Sequence, residues 1–137
     1  MPPHEIFLSH SDLDREFATS VAEVLRYHGI PVWYSRRSIL GAQQWHDEIG
    51  AALHRCDWFA VVLSQHAVES IWVKRELLYA LQQNRFENRI LPLFYEVCDY
   101  NGLSWTLSSL QMIDFTGAFD AGCRDLLRVW GIGHRPQ

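Results

Sequence analysis

Residues 57–64 read Asp-Trp-Phe-Ala-Val-Val-Leu-Ser, the most continuous apolar run in the chain. A strand with one solvent-facing side alternates between apolar and polar residues, whereas this run is apolar at nearly every position. Such a pattern is typical of a strand buried on both faces, as at the centre of a parallel sheet covered by crossover helices. The run therefore predicts an α/β fold organised around this strand.

The flanking segments alternate between strand and helix patterns. Apolar runs predict further strands at 5–9, 30–34, 89–95 and 112–115. Helical periodicity predicts a helix that Ser11 or Asp12 caps and Gly29 ends, followed by helices at 45–55, 71–83 and 119–130. The intervening segments 35–44, 65–69 and 96–111 are interpreted as loops.

This alternation predicts a flavodoxin-like three-layer sandwich, with a five-stranded parallel sheet of order 2-1-3-4-5 and helices on both faces. Pro31 and Pro92 lack a ladder donor, so their strands are expected at or near an edge or at a local break. We interpret 1–137 as a single domain with a core of about 5–130. Residues 131–137 form either a frayed tail or the start of a linker.

Composition narrows the class of protein. The chain has 137 residues, is 48% hydrophobic and 20% charged, and carries a net charge of −4, which is typical of a globular domain. It contains eleven arginines but only one lysine, Lys74, and no basic tract, so we expect no nucleic-acid partner. No apolar run is long enough to span a membrane. Cys56, Cys98 and Cys123 lack CxxC spacing, which indicates buried free thiols in a reducing, cytoplasmic compartment.

The predicted helix 71–83 carries an unusual carboxylate. None of the residues three or four positions from Glu76 is basic, and Trp72 lies one turn before it. A buried carboxylate without a partner is costly, so Glu76 is expected to be protonated, paired from elsewhere in the fold, or facing a cleft. The alternative is a boundary residue whose side chain bends out to water.

In a sheet with this strand order, ligands bind beyond the carboxyl ends of the strands, where the first and third strands are neighbours. The candidate groups share a position after the first or third strand, or in the loop after the second: Ser9, His10, Ser11, Ser64, Trp72, Glu76, Arg36 and Arg37. Glu76 therefore falls where the architecture predicts a site, which favours a functional role.

Other common motifs are absent from the sequence. There is no Gly-rich turn ending in Gly-Lys-Ser/Thr, no GxGxxG after the first strand and no HExxH, so neither a metal nor a bound cofactor is expected. Ser9, His10 and Asp12 are too close together to supply a hydrolase triad, and no nucleophile elbow is present.

Five segments resemble, in order and spacing, those of a Toll/interleukin receptor (TIR) domain, chiefly of the bacterial members. The segments are 6–11 (IFLSHS), 32–34 (VWY), 45–53 with Trp45, Ile49 and Leu53, 61–64 (VVLS) and 70–77 with Trp72 and Glu76. The resemblance covers about 5–130 and implies the flavodoxin-like fold that the pattern itself predicts.

The resemblance implies an enzyme that splits NAD+ at the nicotinamide–ribose bond, giving nicotinamide and ADP-ribose or a cyclic variant. The catalytic residue of such members is the Glu of a Trp-x-x-x-Glu segment, which Trp72 and Glu76 match. We expect Trp72 to stack on the nicotinamide riboside, residues 9–11 to hold ribose or phosphate, and Arg36 to neutralise the diphosphate. NAD+ is then a substrate, and a role in bacterial defence is implied.

Two alternatives remain at this point. The first is a non-catalytic scaffold that self-associates through the 35–44 loop, whose apolar tip is Ile39 and Leu40; self-association is also compatible with the enzyme, and so are further domains or a partner protein. The second is a nucleoside or nucleotide N-glycosidase that uses Glu76 as nucleophile. The loop departs from the family pattern at Ser35, where Asp is usual, and at Gly41, which lies one place early.

Overall fold

The computed structural model describes residues 2–34 and 42–136. Its sheet contains five parallel strands: β1 (Ile6–Ser9), β2 (Val32–Tyr34), β3 (Trp58–Leu63), β4 (Ile90–Phe94) and β5 (Ile113–Asp114). Their order is β2-β1-β3-β4-β5, so β3 lies in the centre and β2 at an edge. The predicted flavodoxin-like sheet and its strand order are confirmed.

In the described parts of the chain, five α-helices connect or flank the strands: α1 (Arg15–Tyr27), α2 (Ala42–Arg55), α3 (Gln65–Val68), α4 (Ile71–Leu81) and α5 (Phe119–Arg128). Helices α1 and α5 cover one face of the sheet, where they pack on Ile6, Leu8 and Val62. Helices α2, α3 and α4 cover the other face, where they pack on Phe7 and Phe59. The alternation of side chains along each strand thus feeds two separate apolar cores.

The two strand prolines lie where no ladder donor is needed. Pro31 directly precedes the edge strand β2. In β4, the Phe94 carbonyl accepts from the Phe115 N–H, on the side of β5. Pro92 lies two residues earlier, so its nitrogen points to the same side, and β5 pairs with β4 only from Leu93 onward.

The structure corrects three of the predicted loops. Helix α2 begins at Ala42, three residues before the predicted start. The predicted loop at 65–69 contains the short helix α3, because the Ser64 hydroxyl accepts the Ala67 N–H and caps its first turn. The irregular stretch 96–111 contains two 3-10 turns, Tyr100–Gly102 and Trp105–Ser109.

The three cysteines are free thiols, as predicted, although only Cys56 and Cys123 are buried and Cys98 is half-buried. Burial raises the pKa of both buried thiols to about 12, so they stay protonated and unreactive at neutral pH. These two cysteines therefore act as small apolar core residues.

The last described residues contact the end of α1. The Arg135 N–H donates to His28 Nε2 at 2.9 Å, and the Tyr27 hydroxyl donates to the Pro136 carbonyl at 3.4 Å. Gly131, with a φ of +70°, allows the chain to turn back after α5. Among residues 2–34 and 42–136, no helix combines the length and the apolar composition that crossing a bilayer requires.

Candidate functional site

Buried polar side chains gather at one edge of the sheet. Within the described residues, the buried polar and charged side chains all lie at the end of β1 or in the segments that follow β1 and β3: Ser9, His10, Ser11, Asp14, Ser64 and Glu76. Burying such groups costs free energy unless each finds a partner, so their concentration in one place needs a specific explanation. The place is the predicted one, beyond the carboxyl ends of the first and third strands.

Glu76 lies on the buried face of α4. The Ser70 hydroxyl accepts the Val73 N–H at 3.3 Å and starts the helix. Val73, Leu77 and Ala80 are fully buried, and Glu76 shares their face because residues three or four positions apart lie together on a helix. Only 5% of Glu76 is exposed, so the alternative of a side chain bending out to water is excluded.

Ser9, the last residue of β1, is a hydrogen-bond partner of Glu76. Its hydroxyl donates to Glu76 Oε1 at 2.6 Å, across 67 residues of sequence. Ser9 follows Phe7 on the same side of the strand, and Phe7 faces the core that α4 covers. A hydroxyl that donates to a carboxylate oxygen stabilises the ionised form and fixes its orientation. The partner that the sequence required from elsewhere in the fold thus includes Ser9.

Asp14 is a second buried carboxylate, which the sequence analysis missed. It lies in the 3-10 turn Asp12–Asp14 and is 5% exposed. The Ser64 hydroxyl donates to Asp14 Oδ2 at 2.5 Å. Ser64 was a candidate because it follows the central strand, but two acids in one short turn gave no signal of which was buried.

His10 and Ser11 form the turn that follows β1. His10 Nδ1 lies 2.7 Å from the Ser11 carbonyl, which can only accept, so Nδ1 carries the proton. The Ser11 hydroxyl accepts the Leu13 N–H at 3.3 Å and caps the following 3-10 turn. The N-cap position of α1 itself is Asp14, so neither Ser11 nor Asp12 caps that helix as predicted. The His10 ring lies 5.8 Å from the ring of Tyr34, at the end of β2.

Trp72 lies one turn before Glu76 and is half-buried. Its indole packs against the core on the α2 and α4 side of the sheet. The Arg75 guanidinium carbon lies 4.9 Å from the centre of the Trp72 ring, a cation–π contact. One part of the indole is therefore buried in the core and another part is accessible, so packing in the core and contact with a ligand are compatible at this position.

Arg36 lies outside the described residues, as do Arg37, Ser35 and Gly41. Tyr34, the last described residue before them, pairs with Leu8 of β1. The binding role predicted for Arg36 stays a prediction.

Burial and nearby carboxylates affect two titratable side chains that follow β4, Tyr95 and Cys98. Burial, followed by the carboxylates of Glu96, Asp14 and Glu16, raises the pKa of the Tyr95 phenol. Burial and then Glu96 likewise raise the pKa of the Cys98 thiol. Both groups are therefore neutral at physiological pH.

The described residues carry a depression away from this edge and no grouping of metal ligands. A depression of about 310 Å³ lies at the opposite edge, next to Ile90 at the start of β4. Within the part of the chain that the structure describes, no three His, Cys, Asp or Glu side chains are grouped as a metal site requires. The site is therefore assigned from its buried hydrogen-bonded carboxylates.

Comparison with known families gives this arrangement a context. The sequence pattern of the TIR domain matches residues 6–127. The chain belongs to the TIR domain family. The TIR resemblance noted from the sequence is thereby confirmed, and it covers both buried carboxylates.

One similar protein, from Brucella abortus (strain 2308), is named as the probable 2′ cyclic ADP-D-ribose synthase TcpB. It is 30% identical to this TIR domain over 97 residues, which are 69% of this chain and 38% of that protein. The chain thus spans well under half the length of this relative.

Solved structures with the same fold include two TIR domains. The TIR domains of the activated Roq1 resistosome, which recognises the pathogen effector XopQ, match with a TM-score of 0.73 at 16% identity, covering 93% of this chain and 99% of that one. The TIR domain of the Toll-related receptor TRR-2 from Hydra magnipapillata matches with a TM-score of 0.67 at 18% identity, covering 90% and 88%. At these identities the matches show the fold.

Proposed function

We propose that this TIR domain cleaves the bond between nicotinamide and ribose in NAD+, with Glu76 as the catalytic residue. The observation that carries the proposal is the burial of Glu76 at the carboxyl ends of β1 and β3, where its carboxylate accepts the Ser9 hydroxyl at 2.6 Å. A carboxylate held in this way at a ligand-binding edge is a strong candidate for chemistry.

One carboxylate suffices for this reaction. Nicotinamide is cationic in NAD+ and leaves as a neutral molecule, so the leaving group needs no general acid, unlike the oxygen of an ordinary glycoside. The ribose that remains has oxocarbenium character, which a nearby anion such as Glu76 stabilises. Water then supplies the oxygen at the ribose carbon and releases one proton, which gives ADP-ribose; an internal nucleophile of the same molecule would give a cyclic product instead.

The other site residues have supporting roles in this proposal. Ser9 orients the carboxylate, and the turn formed by His10 and Ser11 holds ribose or phosphate. Trp72 offers its accessible part to the nicotinamide riboside, and Arg36 neutralises the diphosphate. The carboxylate of Glu76 also attracts the positive nicotinamide ring.

The name of the Brucella relative supports this substrate class, because a cyclic ADP-ribose is what NAD+ becomes on losing nicotinamide. Linear and cyclic products differ by one water and are separated by mass spectrometry. A defence role through NAD+ depletion, in the cytoplasm, follows as part of the proposal.

The test is nicotinamide release from NAD+ by the concentrated domain, compared with Glu76→Ala and Glu76→Gln. We expect both variants to lose at least about 100-fold in kcat. The matched control is Glu69→Gln, an exposed acid seven residues earlier, which should keep full activity. Equal turnover by wild type and the Glu76 variants would remove Glu76 from the mechanism. Cleavage of free nucleosides in preference to NAD+ would favour the general N-glycosidase.

Self-association is a second candidate function, which three strongly exposed apolar side chains favour. Leu13, Val97 and Trp105 are 75%, 85% and 79% exposed in the isolated domain. Light scattering over a range of concentrations should show a mass above that of the monomer, and Trp105→Glu or Leu40→Glu should lower it. An unchanged mass in both variants would count against these surfaces.

A further inference from the structure

The two buried carboxylates form a crossed pair of hydrogen bonds. Ser9 ends β1 and donates to Glu76, which lies in the helix after β3. Ser64 follows β3 and donates to Asp14, which lies in the turn after β1. The serine at the carboxyl end of each strand therefore donates its hydroxyl to the acidic residue that follows the other strand. We refer to these four residues as the crossed clasp.

The alternation of side chains along the strands explains the crossing. Ser9 lies on the side of Phe7, which faces the core under α4, so its hydroxyl meets Glu76. Ser64 lies on the side of Ala60 and Val62, which face the core under α1, so its hydroxyl meets Asp14. The clasp thus places one hydrogen bond on each face of the sheet, at the edge where the site forms.

Ser64 uses its hydroxyl twice. It donates its single proton to Asp14 at 2.5 Å, and it accepts the Ala67 N–H at 3.0 Å, which caps α3. The Asp14 carboxylate can only accept when ionised, so it decides where the Ser64 proton points and leaves the oxygen lone pairs for the cap. Asp14 therefore fixes the start of the segment that leads through α3 into α4.

That segment carries the proposed site. Four residues separate Ser64 from Glu69 at the end of α3, and Ser70 then caps α4, which brings Trp72 and Glu76 to the edge of the sheet. The Ser70 N–H also donates to the Ala67 carbonyl at 3.0 Å, so α3 and α4 form one continuous hydrogen-bonded unit. A displacement at Ser64 is passed on to Glu76 through this unit.

We propose that Asp14 is a positioning residue of this TIR domain, acting through Ser64 to place Trp72 and Glu76. The proposal rests on the function proposed above. Asp14 makes no contact with substrate. It holds Ser64 at the start of the segment 64–76, and Ser9 holds Glu76 at the end of that segment. Loss of Asp14 lowers the rate of the chemical step, because the carboxylate at Glu76 moves away from the ribose, and it leaves substrate affinity largely unchanged.

The activity test uses variants at both ends of the Asp14–Ser64 bond. In Asp14→Ala and Ser64→Ala we expect kcat to fall about tenfold with KM within about twofold. Asp14→Asn keeps an acceptor oxygen for Ser64 and should recover most of the rate. The double variant should lose no more than Ser64→Ala alone, because that substitution already removes the bond to Asp14 together with the cap of α3. Asp12→Ala, in the same turn but exposed, is the matched control.

The proposal is overturned if the folded variants keep the wild-type kcat, if only KM changes, or if the two losses multiply. Activities are compared at a temperature at which circular dichroism shows each variant to be folded. If Asp14→Ala does not fold, Ser64→Ala and Asp14→Asn decide the outcome by the same criteria.

An NMR arm separates this proposal from the proposed function. In ¹⁵N spectra recorded without NAD+, Asp14→Ala should shift the amides of Ala67, Trp72 and Glu76 and leave those of α5 unchanged. If the Glu76 amide shifts but the wild-type domain does not cleave NAD+, the proposed function is wrong and the positioning role of Asp14 still stands. Shifts confined to the turn around Asp14 would overturn the positioning whatever the activity.

Discussion

Charged side chains at the two edges of the sheet differ in their burial and in their partners. At the carboxyl edge, Glu76 and Asp14 are 95% buried and accept serine hydroxyls within the protein. At the amino edge, Glu5 pairs with Arg55, and Asp57 accepts the backbone N–H groups of residues 4 and 5. The Arg55 side chain at this edge is 51% exposed to solvent.

The difference indicates what each edge is for. Surface pairs such as Arg55 with Glu5 contribute little to stability, since water screens them and ordering long side chains costs entropy. Buried carboxylates carry a desolvation cost, and well-packed apolar residues in their place often serve stability at least as well. Stability alone therefore does not explain the carboxyl edge, whereas the proposed chemistry would explain it.

The apolar core between the two edges should give the largest change in the free energy of unfolding, against which the effects at the edges are compared. Leu77 is fully buried under α4, one position after Glu76. Leu77→Ala should lower the free energy of unfolding by about 3 kcal/mol, from lost burial and the cavity it leaves. Urea unfolding measures it, with the adjacent and 39% exposed Leu78→Ala as control. A loss no larger than that of the control would contradict the packing of α4.

The carboxyl edge should give an intermediate effect. Ser9→Ala removes the donor to Glu76 Oε1 and should lower the free energy of unfolding by about 1–2 kcal/mol. Activity should fall with it, since the carboxylate loses its orientation. Ser20→Ala, whose exposed hydroxyl bonds only its own helix backbone, is the control and should change stability by less than about 0.5 kcal/mol. An unchanged stability for Ser9→Ala would mean that the bond is absent in solution.

The amino edge should give the smallest effect. Arg55→Gln breaks the 2.6 Å contact with Glu5 and should lower the free energy of unfolding by less than about 1 kcal/mol. The loss should shrink further at high salt, because the pair is exposed. Unfolding curves at low and high ionic strength test this. A salt-independent loss above about 2 kcal/mol would mean that the ion pair at the amino edge contributes as much to stability as the buried bonds at the carboxyl edge.

The parts of the fold that sequence predicts are those with a strong local signal. The apolar run at 57–64 identified the central strand, and Pro31 the edge strand. Helix α3 was missed because four residues are too few for a helical period, and its start depends on the Ser64 hydroxyl. Helix α2 begins at Ala42, before the first residue of its apolar pattern.

The residues of the candidate site, too, were predicted where the sequence carries a local signal and missed where it does not. Glu76 was found because its neighbours on the helix are apolar, which is visible in the sequence. Asp14 was missed because its burial depends on a hydrogen bond to Ser64, 50 residues away, which only the folded sheet creates. The hydroxyl of Ser9 was expected to contact a ligand, which stays a prediction, and the structure shows it donating to Glu76.

The account depends most on the claim that the charge of Glu76 serves chemistry. The direct measurement is nicotinamide release from NAD+ by wild type and by Glu76→Gln, which keeps the shape and an acceptor oxygen for Ser9 but removes the negative charge. The account predicts release by wild type and a loss of at least about 100-fold in a variant that folds normally. Equal release by the two proteins would contradict it.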